Sequence, residues 1–400
     1  MISRRDILKA AGAGALASSI PGLAFARADS EARFVLVILR GAADGLAIAP
    51  PYGDGNYRRI RGELALPAPG DSGGLNKLDG LFGLHPSLSN IYQQYRDDQA
   101  LIVHAVASPY RERSHFDGQD VLENGAAQVG TLRDGWLNRA LEPLGGALGD
   151  EVAIAMAQNT PLVLRGSNSV TSWAPSQLPD AEESTLRRLQ DLYASDEFFA
   201  TRLTQALDAQ AIANSETGME QMRSRGNDAE QLRTMMQAAA RFLTADAGPR
   251  IAVLEASGWD THANQGTSTG SLANRLEGLD DGLLTLQSGL GDAWSKTIVA
   301  VVTEFGRTVA VNGTRGTDHG TASAAILLGG AVAGGRVVTD WPGLRDTDLY
   351  QGRDLMPTTD IRSVFKAVLA EHLELPETHL ENVVFPGSKS APPMRDIIRS

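Results

Sequence analysis

Short apolar runs separated by glycine-bearing polar turns recur along the chain. Residues 34–39 (FVLVIL), 100–106 (ALIVHAV), 151–156 (EVAIAM), 250–255 (RIAVLE), 298–302 and 322–328 are each long enough for one strand. Their apolar positions are largely continuous rather than alternating, as expected of parallel strands buried on both faces. Other stretches step by three and four: Leu88, Ile91, Tyr92 and Tyr95 in one, and Leu272, Leu276, Leu279, Leu283, Leu286 and Leu290 in another. Each stripe predicts a helix with one face on the sheet. The second joins strand 250–255 to strand 298–302 and predicts a β-α-β unit. Further helices are predicted over 131–141 and from a cap at Thr359 or Asp360 to about residue 371, and residues 162–164 are expected to form a short edge strand.

Two blocks break this alternation. Residues 50–83 are rich in Gly, Pro and Arg and read as loop or short hairpin. Residues 181–246 carry apolar positions at helical spacing, Leu186, Leu189, Leu192 and Phe198, then Leu232, Met235, Met236 and Phe242. They predict a cap-like helical insertion. The expected architecture is an α/β domain over residues 30–385, a mostly parallel sheet flanked by helices, with that insertion.

Composition narrows the function. With 400 residues, 42% of them hydrophobic, the chain can bury a large core. Its net charge is -12, and removing residues 1–26, with Arg4, Arg5, Lys9 and Asp6, leaves it near -14. That balance argues against nucleic acid and anionic membrane surfaces as partners. The absence of cysteine excludes disulfides, thiolate zinc sites and cysteine nucleophiles. Any metal must therefore be held by Asp, Glu, His, Ser or Thr.

Ser3-Arg4-Arg5-Asp6-Ile7-Leu8-Lys9 resembles the twin-arginine export signature. A mild Ala/Gly-rich segment follows, and Leu23-Ala24-Phe25-Ala26 offers a cleavage site. The expectation is a signal peptide over 1–26, the twin-arginine export machinery as a partner, and a periplasmic or secreted mature chain. The apolar part of this segment is too short for a membrane span, and no later apolar run reaches about 18 residues, so no integral span is expected in the mature chain.

The chemistry gathers at predicted strand ends. Strand 34–39 runs into Arg40-Gly41-Ala42-Ala43-Asp44-Gly45, where Asp44 is either a metal ligand or the cap of the next turn. Strand 100–106 is followed by Ser114, read as a helix N-cap with Asp117 as its capping-box partner. The same placement puts a hydroxyl in positive potential, which favours an alkoxide and binds phosphate or sulfate, with Arg111 and Arg113 adding to it. Strand 250–255 leads to Asp260-Thr261-His262, an Asp-x-His ligand pair. Strand 298–302 leads to Glu304 and Arg307, and then to Asp318-His319 before the next strand. These last residues can equally be an ion pair, an Asx turn and a loop histidine. Ligands of open α/β sheets bind outside the strand carboxyl ends. The whole set therefore reads as a metal site with an anion-binding Arg307. Such oxygen and nitrogen ligands suit zinc, manganese or iron, and carboxylates with water suit magnesium. Two ions about 4 Å apart could clamp a phosphoryl group. His85, at a helix start, and His104, inside a strand, read as structural.

Taken in order, the twin-arginine start and the motifs Gly41-Ala42-Ala43-Asp44-Gly45, Arg113-Ser114-His115-Phe116, Gly258-Trp259-Asp260-Thr261-His262, Glu304-Phe305-Gly306-Arg307-Thr308 and Gly316-Thr317-Asp318-His319-Gly320 resemble the exported bacterial proteins grouped as DUF1501. That family is placed in the alkaline phosphatase-like superfamily, with the sulfatases and cofactor-independent phosphoglycerate mutases. The resemblance implies an alkaline phosphatase-like fold, a hydroxyl nucleophile at Ser114, and one metal held by Asp44, Asp318 and His319. The superfamily's other Asp/His pair falls on Asp260 and His262, separated by one residue where phosphatases usually have three. Its final histidine ligand has no motif match at His372 or His379, and His115 is the substitute. The sulfatase signature is absent. The function implied is metal-dependent hydrolysis of a small anionic phosphate or sulfate ester, with one or two zinc, manganese or magnesium ions. Ser114 attacks, Asp260 and His262 hold the second ion, Arg307 binds the anionic oxygens, and Glu304 is a ligand or orienter. The alternative is a non-catalytic envelope protein with a degenerate metal site.

Overall fold

The strand Arg33–Arg40 (β1) lies in the middle of a sheet of nine strands among the described residues and is buried along nearly its whole length. The computed structural model describes residues 31–148, 152–175, 183–196, 227–245 and 248–399, with a few positions between 199 and 207. The expected signal peptide over 1–26 and the 208–226 part of the expected insertion lie outside the described residues. In chain order the other strands are Asn76–Lys77 (β2), Gly83–Leu84 (β3), Ala100–Ala107 (β4), Ala153–Ala155 (β5), Thr171–Ser172 (β6), Ile251–Ser257 (β7), Thr297–Thr303 (β8), Ser323–Leu328 (β9), Arg336–Val338 (β10) and Thr359–Asp360 (β11). β2 and β3 form a separate antiparallel pair inside the polar block. The main sheet runs β10-β4-β9-β8-β1-β7-β5-β6, with β11 also pairing with β4.

Alternate residues of β1 enter opposite cores. Val35, Val37 and Leu39 pack with the helices Ser89–Arg96, Asp228–Thr244 and Ser271–Leu290 on one face. Phe34, Leu36 and Ile38 pack on the other face with Trp136 of the helix Trp136–Leu148 and Phe365 of the helix Ile361–Ala367, whose rings stack at 4.6 Å. This is why β1 is apolar at every position from Phe34 to Leu39: two helical layers enclose it.

Three expectations change. β9 is antiparallel to both neighbours, β8 and β4. Residues 304–322 between β8 and β9 contain no crossover helix, and the chain turns back as a hairpin, so β9 runs antiparallel to β8. The helix Asp228–Thr244, expected within a cap, lies against β7 and the helix Ser271–Leu290 and buries Leu232, Met236 and Phe242. Its alanines allow close approach: a Cβ at Gly289 would come within 2.7 Å of the Ala240 side chain. Residues 162–164, expected as an edge strand, form one turn of 3-10 helix closed by the Leu164 N–H donating to Pro161 O.

Candidate metal centre

The ends of β1, β4, β7 and β8 and the start of β9 lie at one edge of the sheet, because β9 runs back from where β8 stops. The hairpin between β8 and β9 stays paired beyond the sheet. Gly306 N–H donates to Thr321 O at 2.8 Å, and Thr308 N–H donates to Asp318 O at 2.8 Å. A Cβ at Gly306 would lie 1.8 Å from Ala322 O, so only glycine fits there. This pairing sets Asp318 and His319 opposite Arg307 and Thr308.

Three imidazoles meet Asp260. His115 Nε2 is 3.4 Å from Asp260 Oδ2, His319 Nε2 is 3.3 Å from Asp260 Oδ1, and His262 Nε2 is 3.0 Å from Asp260 Oδ1. Ligand atoms of His115, Asp260 and His319 lie within 4.8 Å of one another, and His262 Nε2 joins them 3.0 Å from His319 Nε2. Behind each ring stands an acceptor for its other nitrogen. His115 Nδ1 faces the buried Glu304 carboxylate at 2.9 Å, His262 Nδ1 faces Asp318 at 3.2 Å, and His319 Nδ1 faces the Arg113 carbonyl at 2.9 Å. A ring that gives its Nδ1 proton to such an acceptor presents a lone pair at Nε2. Consistent with this, His115 Nε2 is buried and has no hydrogen-bond partner among the described residues. The donor set of three imidazole nitrogens and one carboxylate, with an orphaned nitrogen aimed inward, fits a divalent cation.

Electrostatics follow the same contacts. The hydrogen bond to Glu304 raises the His115 pKa, and burial lowers that of His319. Burial would push Asp260 up, but the Arg307 guanidinium holds it below the usual carboxylate value. Burial likewise opposes ionisation of Glu304, yet His115, Gln119 and the Gly41 N–H keep its carboxyl low. Asp318 is lowered by Asn312 and His262.

Several expected roles move. Glu304 and Asp318 sit behind His115 and His262 rather than in the convergent set. Asp44, expected as a metal ligand, is fully buried and taken up by Arg61 Nη2 at 2.5 Å, Gln265 Nε2 at 2.7 Å and the Leu46 N–H at 3.1 Å. Arg61 also donates to the carbonyls of Thr308 and Val309. Its guanidinium supplies the positive charge that the sequence reading gave to a metal. Arg307, expected to bind an anion, is 1% exposed; it donates to Asp260 Oδ1 and to the Thr317 hydroxyl and carbonyl, and so orients Asp260. Arg111 folds onto the carbonyls of Ser108 and Tyr110, and Arg113 onto Asp354. His85, His104 and His372 are buried and bonded to the carbonyls of Thr267, Ala49 and Arg33, away from the cluster.

Ser114 stands at the N-cap position of the helix His115–Asn124, but its side chain makes no capping hydrogen bond. The expected capping box does not form, because Asp117 accepts instead from the Tyr110 hydroxyl. Ser114 lies between Arg113, whose carbonyl holds His319, and His115. Sequence reasoning missed Arg61, lost in a polar block without periodicity, and the buried Gln265 and Thr317, which link Asp44 to Arg307.

The sequence model of one family, described as a protein of unknown function (DUF1501), matches residues 31–384. No curated protein compared with the chain matches it. Among solved structures, the phosphonate monoester hydrolase of Agrobacterium radiobacter is 12% identical, with 86% of this chain and 74% of that one covered and a TM-score of 0.36. The C-terminal periplasmic domain of EcEptC from Escherichia coli, in complex with Zn, is 9% identical over 74% and 72%, with a TM-score of 0.34. Alkaline phosphatase from the Antarctic bacterium TAB5 is 11% identical over 77% and 94%, with a TM-score of 0.33.

Proposed function

The chain belongs to the DUF1501 family, and on that footing we propose that it is an exported, metal-dependent hydrolase of phosphate or sulfate esters with an alkaline phosphatase-like fold. The observation that supports this most is the convergence of His115, His262 and His319 Nε2 on Asp260, each ring backed by an acceptor at Nδ1. Those four residues are the proposed ligands of one ion. The nitrogen-rich set favours zinc or manganese over magnesium, which prefers oxygen donors. When bound, the ion supplies positive charge that eases ionisation of a nearby hydroxyl and offsets charge building on the ester oxygens. Ser114 is the proposed nucleophile: its hydroxyl is free of capping and stands at a helix N-terminus. Arg307 keeps Asp260 ionised and aimed. With Arg307 enclosed, the anionic group of the substrate meets Arg353 instead. Its side chain is 42% exposed, and its Nη2 donates to His319 O at 2.5 Å.

The commitment of Asp44 to Arg61 and of Arg307 to Asp260 favours a second reading, a non-catalytic envelope protein that keeps a reduced metal site. Elemental mass spectrometry of the exported chain beside Asp260→Ala, followed by a screen of phosphate mono- and diesters, sulfates and phosphonates, separates the two. One ion per chain, lost in the variant, with turnover of any ester class supports the hydrolase. An ion with no turnover of any class supports the second reading. No ion, under conditions that retain it in a control metalloenzyme, sinks both.

A further inference from the structure

Arg113 touches both halves of the candidate site. Its carbonyl accepts from His319 Nδ1 at 2.9 Å, and the next residue is Ser114. Its backbone has φ +62°, in the left-handed region that side chains with a Cβ avoid. Such a conformation persists only where its surroundings over-determine it. Here the guanidinium does so: Nε donates to Asp354 Oδ2 at 2.7 Å and Nη2 to Gln351 Oε1 at 2.6 Å. Asp354 is fully buried; its Oδ1 accepts no hydrogen bond among the described residues but lies 3.7 Å from Arg353 Nε, so the carboxylate sits between two guanidiniums. Breaking such a buried pair by removing one partner is strongly unfavourable, so the Asp354 carboxylate holds the Arg113 guanidinium in place. Asp354 is itself fixed by a backbone bridge to Thr308, on the hairpin that carries His319. The ion pair thus clasps the turn bearing Ser114 onto the loop bearing His319.

We infer that the Arg113–Asp354 pair positions the hydroxyl of Ser114 and the imidazole of His319 as one unit. It holds Arg113 in its left-handed turn, so that the Arg113 carbonyl keeps His319 protonated at Nδ1 with the Nε2 lone pair facing Asp260. Neither residue of the pair enters the cluster, so both are positioning residues. In naming Nε2 a ligand, the inference rests on the metal reading above, but the tautomer of His319 does not.

The test uses the full mature chain. Arg113→Gly keeps the carbonyl and tolerates positive φ, so it removes only the clasp. Asp354→Asn removes the charge, and Arg113→Lys restores a cation. In metal-free protein, imidazole 15N shifts are expected to show His319 protonated at Nδ1 in wild type and a mixture of tautomers in Arg113→Gly and Asp354→Asn. Cobalt(II) is expected to bind those two variants about tenfold or more weakly, with an altered visible spectrum, and Arg113→Lys to recover part of the loss. Variants that keep the wild-type tautomer and cobalt affinity would overturn the inference. A tautomer change in the variants, together with a wild-type chain that binds no cobalt, would sink the metal reading and leave the clasp standing. If Asp354→Asn does not fold, Arg113→Gly decides alone.

Discussion

The Nε2 atoms of His262 and His319 lie 3.0 Å apart. His319 Nδ1 faces a carbonyl, which only accepts, and His262 Nδ1 faces a carboxylate. With both rings neutral, two lone pairs point at each other. A shared cation relieves that opposition, and so does a proton. Weakening the acceptor behind a ring, by removing its charge, therefore weakens cation binding without touching a ligand. Glu304→Gln, behind His115, is expected to lower zinc affinity by about 10- to 100-fold, and His319→Ala by more. Competition with a chromophoric chelator measures both. Unchanged affinity in Glu304→Gln would show that the charge of Glu304 does not tune His115, and His115→Ala then decides whether His115 is a ligand.

The proposed nucleophile and anion site are separable in kinetics. Ser114→Ala should reduce ester turnover to background while its metal content stays at the wild-type level. Arg353→Gln should raise KM for an anionic ester about tenfold or more, with a smaller change in kcat, as expected for loss of a charged contact made equally in ground and transition states. Turnover by Ser114→Ala at the wild-type rate removes Ser114 from the role.

The sheet edge was legible in the sequence because buried parallel strands are continuous apolar runs, and their exits carried Asp260, His262, Glu304, Asp318 and His319. The order of groups within the edge was not legible. Whether a carboxylate faces a cation or stands behind a histidine depends on side-chain direction, which no spacing encodes. Asp44 shows the limit most sharply: its partner Arg61 lies 17 positions away in a block with no periodicity. The antiparallel course of β9 was missed for a related reason, since an apolar run reads the same in either direction. The capping box at Ser114 failed because a tertiary contact, the Tyr110 hydroxyl, took Asp117.

The approach of β1's exit to the Asp260 loop sets a steric prediction. Gly41 has φ +119°, and a Cβ there would lie 2.7 Å from Asp260 N. Gly41→Ala must shift that loop or strain its own backbone. The expected cost is about 1–3 kcal/mol of stability, with weaker zinc binding as Asp260 is displaced. Urea unfolding and the chelator competition check the two parts. A variant with wild-type midpoint and affinity would show that the loop yields freely.

Stability should depend on pH through buried histidines. His104 is wholly enclosed in β4, and burial pushes its pKa from 6.5 down to about 4. Between those values the unfolded chain binds the proton and the folded chain does not. Stability is therefore fully present above about pH 6.5 and is lost as pH falls toward about 4. The loss from this residue is roughly 3 kcal/mol. Burial lowers His85 and His372 in the same direction. His104→Gln should flatten the slope of urea midpoints across this window relative to wild type, and an equally steep slope would assign it to other groups.

The pairing of Asp44 with Arg61 bears on how many ions the proposed metal site takes. A second ion on Asp44 would have to displace a guanidinium that is fully buried and also bonded to the carbonyls of Thr308 and Val309. Those bonds have no solvent to replace them, so displacement would strand a buried charge, at about 3–5 kcal/mol for a broken buried pair. The chain should therefore titrate with one zinc, not two. Asp44→Asn leaves Arg61 facing a neutral amide, so it should lose stability on that scale, yet keep one zinc, because His115, Asp260, His262 and His319 are untouched. Calorimetric titration of both proteins, beside their urea midpoints, tests this directly. Two ions in wild type falling to one in Asp44→Asn would show that Arg61 swings away and that Asp44 is a ligand after all.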